Sequence, residues 1–170
     1  MASPASAQRI AVIGAGPAGL MAAEHIANAG LAVDVFDAMP SVARKFLLAG
    51  IGGMNITHAE DYDTLVTRYS GAQSQLKPIL DDLPPLELRA WIHALGVDTF
   101  VGTSQRVFPT DMKAAPLLRA WLHRLRSSGV TFHPRHRWTG WNNNTPKDGW
   151  VFTTPDGEVT HQFDAVVLAL

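Results

Sequence analysis

Three glycines in the segment IGAGPAGL, residues 13–20, have the spacing of a loop that holds the phosphates of a dinucleotide. In the pattern G-x-G-x-x-G, the first glycine permits a tight turn and the second lets the backbone approach a pyrophosphate. The third lets a helix pack closely on the preceding strand. Free N–H groups and the positive end of the helix dipole would then face the phosphates. The predicted cofactor contacts in this loop are Gly14, Ala15, Gly16, Pro17, Ala18 and Gly19.

An acidic residue stands where such a site would bind a ribose. Asp37 follows a short apolar run, residues 32–36, and lies about 20 residues after the glycines, as a ribose-binding acid does. Its carboxylate can accept hydrogen bonds from both ribose hydroxyls, and its charge would repel a 2′-phosphate. We therefore predict that Asp37, with Ala38 beside it, binds the adenosine end of FAD or NAD rather than NADP.

The elements that must position these residues follow in the required order. Residues 9–13 form a β-branched run typical of a buried parallel strand, and residues 18–29 have the spacing of a helix. Gly30 would end that helix, and residues 32–36 predict a second strand. A glycine-rich turn without a ligand is the alternative, but such a turn does not require this order of strand, helix, strand and acid.

A second glycine-rich segment, ARKFLLAGIGGMNITH at residues 43–58, has the composition of a loop that contacts a large flat ligand. Small residues let backbone amides approach such a ligand, and an asparagine can both donate to and accept from a ring edge. Two adjacent cations add positive charge near a pyrophosphate. The alternative is a mobile surface loop with two solvated basic residues. The candidate contacts are Arg44, Lys45, Gly50, Gly52, Gly53 and Asn55.

Together with the first motif, this segment resembles a bacterial flavoprotein family, the BaiN-like or YhiN-like NAD(P)/FAD-dependent oxidoreductases, which includes proteins called aminoacetone oxidases. The family pattern is Gly-Arg-Lys followed by a glycine-rich loop that ends in Asn-x-Thr-Asn, and this chain has Arg44, Lys45, Asn55 and Thr57. The segment QRVFPTDMKAAPLLRAWLHRL, residues 105–125, resembles the family's Gly-Arg-Val-Phe-Pro motif and the helix after it. The resemblance implies FAD as cofactor and NAD(P)H as a candidate electron donor.

The chain departs from the family pattern at several positions. Ala43 and Gln105 replace glycines, Gly53-Met54 replaces Arg-Cys, and His58 stands where asparagine is common. The glycines and the Arg-Lys pair that would touch the cofactor are kept. We therefore expect a subgroup that shares the cofactor and differs in its substrate pocket.

The remaining pattern predicts an α/β fold: a Rossmann-like FAD-binding domain with a parallel sheet, an antiparallel β-meander and a largely helical insertion. Apolar spacing between residues 61 and 128 predicts helices whose apolar stripes form a core, with a hairpin around residues 102–105. Strands near residues 137–141, 150–154 and 159–163 would form the meander. We assign residues 1–46 and 129–170 to the FAD-binding domain and residues 47–128 to the insertion.

Two features of this layout concern the cofactor and the extent of the chain. The long segment before the third parallel strand, residues 130–133, favours FAD over NAD, because an NAD-binding Rossmann domain normally reaches its third strand after a short helix. The final run, residues 165–170, has the pattern of a buried strand without a helix to cover it. We therefore expect the sequence to be truncated at its C-terminus.

Composition excludes several other kinds of site. The chain has no cysteine, which removes disulfides, thiolate zinc sites and iron–sulfur clusters. Its 7 histidines lack the spacing of a metal site, so we predict no metal. The balance of 14 Lys and Arg against 15 Asp and Glu favours neither nucleic acid nor an anionic membrane. No leader or long apolar run is present, which predicts a cytoplasmic protein acting on a small molecule.

Three functions remain open at this stage. The first is an FAD-dependent oxidoreductase in which the flavin carries hydride or electrons. The others are a non-catalytic truncated remnant of such a flavoprotein and an NAD-binding dehydrogenase domain. No catalytic acid or base stands out in the pattern. Arg106 is a candidate substrate-side cation, with a surface salt bridge as its alternative role.

Overall fold

A computed structural model describes residues 8–48 and 52–170, so Gly50 of the second glycine-rich segment lies outside the described residues. The chain divides into two compact units. The first comprises the residues up to Phe46 together with Leu122–Leu170, and the second comprises Leu47–Trp121. No described helix is both long enough and apolar enough to cross a lipid bilayer.

The first unit is built on a four-stranded parallel sheet, which confirms the predicted fold class. Its strands are β1 (Arg9–Ile13), β2 (Ala32–Asp37), β6 (Thr131–Pro134) and β10 (Ala165–Leu168), in the order β10-β1-β2-β6. The apolar runs of β1 and β2 are buried, as in parallel strands covered on both faces. The chain returns beside β1 with β10, so the strand order reverses there, and ligands of such sheets bind at the carboxyl ends near this reversal.

Helix α1 (Pro17–Asn28) begins directly after the β1 turn. Proline suits its first position because that residue needs no hydrogen-bond donor there, and Leu20 and Ala23 are buried. Gly30 follows with a φ of +80°, a conformation that favours glycine and ends the helix as predicted. The helix therefore starts at the carboxyl end of β1 with its N-terminus beside the glycine loop.

The first unit also contains the predicted antiparallel meander, with strands β7 (Arg137–Trp141), β8 (Trp150–Thr154) and β9 (Gly157–His161) in the order β7-β8-β9. Short 3₁₀ turns at Asn142–Asn144 and Pro146–Asp148 join β7 to β8. Phe36 of β2 and Phe152 of β8 are fully buried, and their rings stack with centroids 4.4 Å apart. This aromatic contact packs the meander against the parallel sheet.

The second unit combines short helices with a small antiparallel sheet. Helix α2 (Arg44–Leu48) begins in the first unit. The other helices are α3 (Tyr62–Thr67), α4 (Gln73–Asp82) and α5 (Pro85–His93), with a 3₁₀ turn at Ser70–Ala72; α6 (Ala114–Ser127) contains the unit boundary at Trp121. Strands β3 (Thr57–His58), β4 (Thr99–Val101) and β5 (Arg106–Pro109) pair in the order β3-β5-β4. The hairpin between β4 and β5 and the helical character of this segment match the sequence pattern.

One expectation for these helices is wrong. The spacing of Ile79, Leu83 and Leu86 predicts core positions, but their exposed fractions are 65%, 39% and 77%. Ile92, in the apolar stripe of α5, is buried as the pattern predicts, and Val107 of β5 is buried as well. Apolar spacing identifies one face of a helix, but whether another element covers that face depends on the tertiary structure.

Candidate functional site

A pocket of about 660 Å³ opens at the carboxyl ends of β1 and β2 in the first unit. This volume lies in the range of small-molecule sites, and the place is where ligands of doubly wound sheets bind. The residues predicted from sequence that line it are Gly14, Ala15, Gly16, Pro17, Ala18, Asp37, Ala38, Arg44 and Lys45.

The three glycines of the loop have different physical roles. Gly14 has a φ of +105°, and its N–H donates to the Phe36 carbonyl oxygen at 2.8 Å, which holds the start of the turn against β2. A Cβ on Gly19 would overlap the Gly14 carbonyl oxygen, so Gly19 lets α1 pack on the turn and does not itself line the pocket. A Cβ on Gly16 would meet no heavy atom of the described chain within 4 Å. The backbone at Gly16 is therefore open to a ligand.

The N-terminus of α1 presents donors at this pocket. The first bond of the helix runs from the Leu20 N–H to the Gly16 carbonyl oxygen at 2.9 Å, so the N–H groups of Ala18 and Gly19 precede the helical ladder. The first turn of α1 contains no acidic residue. The positive end of the helix dipole is therefore not neutralised within the helix and favours an anion.

Asp37 connects the glycine loop to the segment after β2. Its Oδ2 accepts a hydrogen bond from the Ala15 N–H at 3.0 Å, and its Oδ1 accepts one from the Met39 N–H at 2.8 Å. Each carboxylate oxygen has a second lone pair, so both can still accept from a hydroxyl group. The two backbone contacts thus hold the carboxylate at the pocket without saturating it.

The segment before α2 brings two cations to the same pocket. The Ala43 N–H donates to the Ala15 carbonyl oxygen at 2.9 Å, which places the exposed side chains of Arg44 and Lys45 beside the glycine loop. Ala43 has a φ of +56°, a conformation that glycine adopts more readily, which explains why glycine is usual at this position of the family pattern.

Sequence reasoning missed the residues that a distant part of the chain contributes to the pocket. The backbone N–H of His136 donates to the Asp37 carbonyl oxygen at 2.9 Å, which holds the connection between β6 and β7 against the end of β2. Local motifs carry no signal for this contact, although the pairing of β2 with a third parallel strand could have suggested it. The missed lining residues are Ile13, Phe36, Met39, Ala43, His136, Arg137, Trp138, Ala169 and Leu170.

Four predicted residues belong to the second unit. Gly52 and Gly53 have φ values of +95° and +152°, and a Cβ on Gly53 would overlap the Met112 side chain. With its amide oriented to satisfy its neighbours, Asn55 donates to the Thr57 carbonyl oxygen at 2.9 Å. Arg106 is exposed on β5. None of these four residues lines the pocket of the first unit, so their contacts with a cofactor or substrate stay predictions of the motif.

Asp34, a buried carboxylate of β2, forms hydrogen bonds with two partly exposed side chains. Asp34 is 6% exposed, and it accepts hydrogen bonds from Arg9 Nε at 2.6 Å and from His133 Nε2 at 2.5 Å. Burial alone would raise the pKa of Asp34 and is the largest single influence, but the bonds from Arg9 and His133 together outweigh it and lower the pKa. No group of three His, Asp or Glu side chains in the described part of the chain is placed to hold a metal ion.

Comparison with solved structures places the fold among larger proteins. Thermovibrio ammonificans THI4 has a TM-score of 0.59 and 16% identity, and the match covers 95% of this chain and 57% of that one. The 3-ketosteroid-Δ4-(5α)-dehydrogenase from Rhodococcus jostii RHA1 has a TM-score of 0.68 and 18% identity, with coverages of 95% and 45%. A flavocytochrome c3 fumarate reductase has a TM-score of 0.60 and 16% identity, with coverages of 98% and 34%. The chain spans about half the length of the first two, and identities this low establish a shared fold alone.

Comparison with protein families is more specific. None of the curated proteins matches the sequence. The family model described as HI0933-like protein Rossmann domain matches residues 8–170, which is nearly the whole chain. This match confirms the resemblance carried by the glycine loop, the Arg-Lys segment and the Arg-Val-Phe-Pro segment. The chain belongs to the HI0933-like Rossmann-domain family.

Proposed function

We propose that the pocket binds FAD and that the chain is the nucleotide-binding part of an FAD-dependent oxidoreductase. One observation carries the proposal: the open backbone at Gly16, the N-terminus of α1 and the Asp37 carboxylate meet in a single pocket. Backbone N–H groups that can bind an anion lie beside a carboxylate that can accept from a ribose. They match the diphosphate and the ribose of an adenosine diphosphate group.

Each part of that group has a partner of matching chemistry. The N–H groups at the start of α1 would donate to the diphosphate, and Arg44 and Lys45 would offset its charge. Asp37 would accept from the ribose hydroxyls, since its oxygens retain free lone pairs. The same carboxylate opposes a 2′-phosphate, which argues against NADP as the ligand of this pocket.

Family membership supports FAD over NAD, since the resemblance implies a flavoprotein. The flavin would supply the capacity to take up and release hydride or electrons. The protein's part in this pocket is to hold the nucleotide and fix its orientation. Flavin contacts from Gly52, Gly53 and Asn55, a small-molecule substrate and NAD(P)H as electron donor also belong to the proposal and rest on the resemblance.

A nucleotide series tests the proposal. The protein is titrated with FAD, NAD⁺ and NADP⁺ while its tryptophan fluorescence is followed, because Trp138 lines the pocket and should report occupancy. We expect FAD to bind most tightly. The dissociation constant of NADP⁺ should be at least about tenfold higher than that of NAD⁺, because the Asp37 carboxylate repels its 2′-phosphate. NAD⁺ binding tighter than FAD would favour the NAD-binding dehydrogenase domain, and failure to bind any of the three would refute the proposal.

A further inference from the structure

His136 lies at the adenosine end of the proposed site. His136 is one of the residues that line the pocket, and its backbone N–H donates to the carbonyl oxygen of Asp37, the residue proposed to bind the ribose. The base attached to that ribose would therefore lie near the His136 side chain.

The hydrogen bonding of the ring fixes which nitrogen can serve a ligand. His136 Nδ1 lies 2.9 Å from the Pro134 carbonyl oxygen, and a carbonyl oxygen only accepts, so Nδ1 carries the proton. In the neutral imidazole, Nε2 then has a free lone pair and is an acceptor. Within the described ranges, no residue forms a hydrogen bond with Nε2.

Aromatic neighbours hold the ring in place. The His136 centroid lies 5.8 Å from that of Phe36, 5.5 Å from that of His133 and 6.4 Å from that of Phe152. A ring with neighbours on several sides loses little freedom on binding a ligand, which favours a directional contact.

The other side chains of the pocket do not offer this chemistry. Arg44, Lys45 and Arg137 only donate, and the Trp138 Nε1–H already donates to the Gly140 carbonyl oxygen at 2.8 Å. Among the described residues that line the pocket, Asp37 and His136 are the ones whose side-chain nitrogen or oxygen can accept a hydrogen bond. With Asp37 assigned to the ribose, the side-chain acceptor left for the base is His136 Nε2.

We propose that His136 Nε2 accepts a hydrogen bond from the exocyclic amine of adenine and makes the pocket select adenine over hypoxanthine. The inference rests on the proposed nucleotide function of the same pocket. Adenine presents an N–H donor at its sixth position, whereas hypoxanthine presents an oxygen acceptor there. An acceptor facing an acceptor loses the hydrogen bond and leaves a desolvated lone pair opposite Nε2.

Ligand variation tests the proposal without altering the protein. The dissociation constants of ADP, inosine diphosphate and purine riboside diphosphate are measured by calorimetry; the last ligand carries hydrogen in place of the amine. We expect ADP to bind about tenfold more tightly than either analogue, the value of roughly one hydrogen bond. Equal affinity for the three ligands would overturn the role of His136 and leave the nucleotide site standing. If none of them binds, the proposed function fails as well.

Substitution then assigns the preference to this residue. His136→Phe keeps an aromatic ring between the same neighbours and removes the acceptor, so ADP affinity should fall about tenfold, to that of inosine diphosphate. His136→Gln, which carries an amide oxygen, should retain part of the preference. His123→Phe, at an exposed histidine of α6 outside the pocket, is the matched control and should behave as the unaltered protein. Full adenine preference in a folded His136→Phe protein would overturn the assignment.

Discussion

Asp37 holds the backbone around the pocket and is proposed to bind the ribose, and one substitution tests the second role. Its carboxylate bonds the backbone N–H groups of Ala15 and Met39 and faces the nucleotide pocket. Asp37→Asn keeps the shape but turns one acceptor oxygen into a donor nitrogen and removes the charge. We expect the affinity for ADP to fall by about tenfold or more, because charge-assisted bonds are stronger than neutral ones.

The control for this experiment is Asp82→Asn, at an exposed aspartate of α4 in the other unit. It makes the same chemical change far from the proposed contacts in sequence and should leave the calorimetric dissociation constant of ADP unchanged. An Asp37→Asn protein with unaltered affinity would show that the carboxylate does not bind the ribose.

Ala43 and Gln105, the two positions where this chain lacks a family glycine, both have positive φ values, +56° and +62°. Such a conformation strains a residue with a Cβ, although glycine loses more entropy on folding. We therefore expect Ala43→Gly and Gln105→Gly each to stabilise the protein, by up to about 1 kcal/mol in urea denaturation. Ala94 has a φ of −66° and is not strained in this way. Ala94→Gly should therefore destabilise the protein, because only the entropy cost of glycine remains. A loss of stability in both test variants would contradict this account.

These two residues also show what the sequence could not reveal. The residue types alone did not show that the backbone at both positions has a positive φ, the conformation for which glycine is favoured. By contrast, the roles of Gly14, Gly16 and Asp37 follow from their spacing. In a βαβ unit, residues at this spacing form the tight turn, let the backbone approach the pyrophosphate and accept hydrogen bonds from the ribose.

Among the structural elements, the turn from β1 into α1 leaves no room for a side chain at Gly19. A Cβ on Gly19 would overlap the Gly14 carbonyl oxygen, and the obstructing atom belongs to the backbone and cannot rotate away. We expect Gly19→Ala to destabilise the protein by about 1–3 kcal/mol, as overpacking does, measured by urea denaturation.

Gly16 provides the matched control for this steric argument. A Cβ there meets no described atom within 4 Å, and its φ of −76° suits any residue, so Gly16→Ala should change stability by less than about 1 kcal/mol. Equal stability losses in the two variants would contradict the assignment of close packing to Gly19 and ligand approach to Gly16.

Several elements of the first unit are predictable from sequence because they have a strong local period and a clear end signal, whereas β9, expected at residues 159–163, runs from Gly157 to His161. Strands β1, β7 and β8 have the expected bounds, since apolar runs and turn residues mark them directly. The surface-exposed face of α4 was not predictable, because amphipathic spacing carries no information about which neighbour covers it. The contribution of His136 to the pocket was missed for a similar reason, since it depends on pairing between distant strands.

For the chain as a whole, the aromatic core between the two sheets of the first unit predicts sensitivity to acid. The pKa of His161 is lowered from 6.5, chiefly by burial and then by the electrostatic interactions with Arg9, His133 and His136, with Asp34 opposing. Because the folded state disfavours protonated His161, its contribution to stability is complete above pH 6.5 and is lost as the pH falls below that value towards the folded pKa.

His161→Phe removes this titration and keeps an aromatic ring beside Phe36 and Phe163. We expect the urea midpoint of this variant to fall less between pH 7 and pH 5 than that of the unaltered protein, with His25→Gln, at an exposed histidine of α1, as control. If His161→Phe loses as much stability over this interval as the unaltered protein, another group is responsible.

The chain covers part of the length of the solved structures that share its fold. It spans 57% of the THI4 chain and 45% of the ketosteroid dehydrogenase chain that share its fold. The proposed cofactor pocket nevertheless lies entirely within the first unit, so nucleotide binding can be measured on this chain without assuming a complete enzyme.

A crystal structure of the chain with ADP would show directly whether the pocket of the first unit binds the nucleotide. We expect the diphosphate at the N-terminus of α1, within hydrogen-bond distance of the N–H groups of Gly16 and Ala18, and the ribose hydroxyls on the Asp37 carboxylate. ADP bound elsewhere, or a crevice that excludes ADP at saturating concentration, would contradict this expectation.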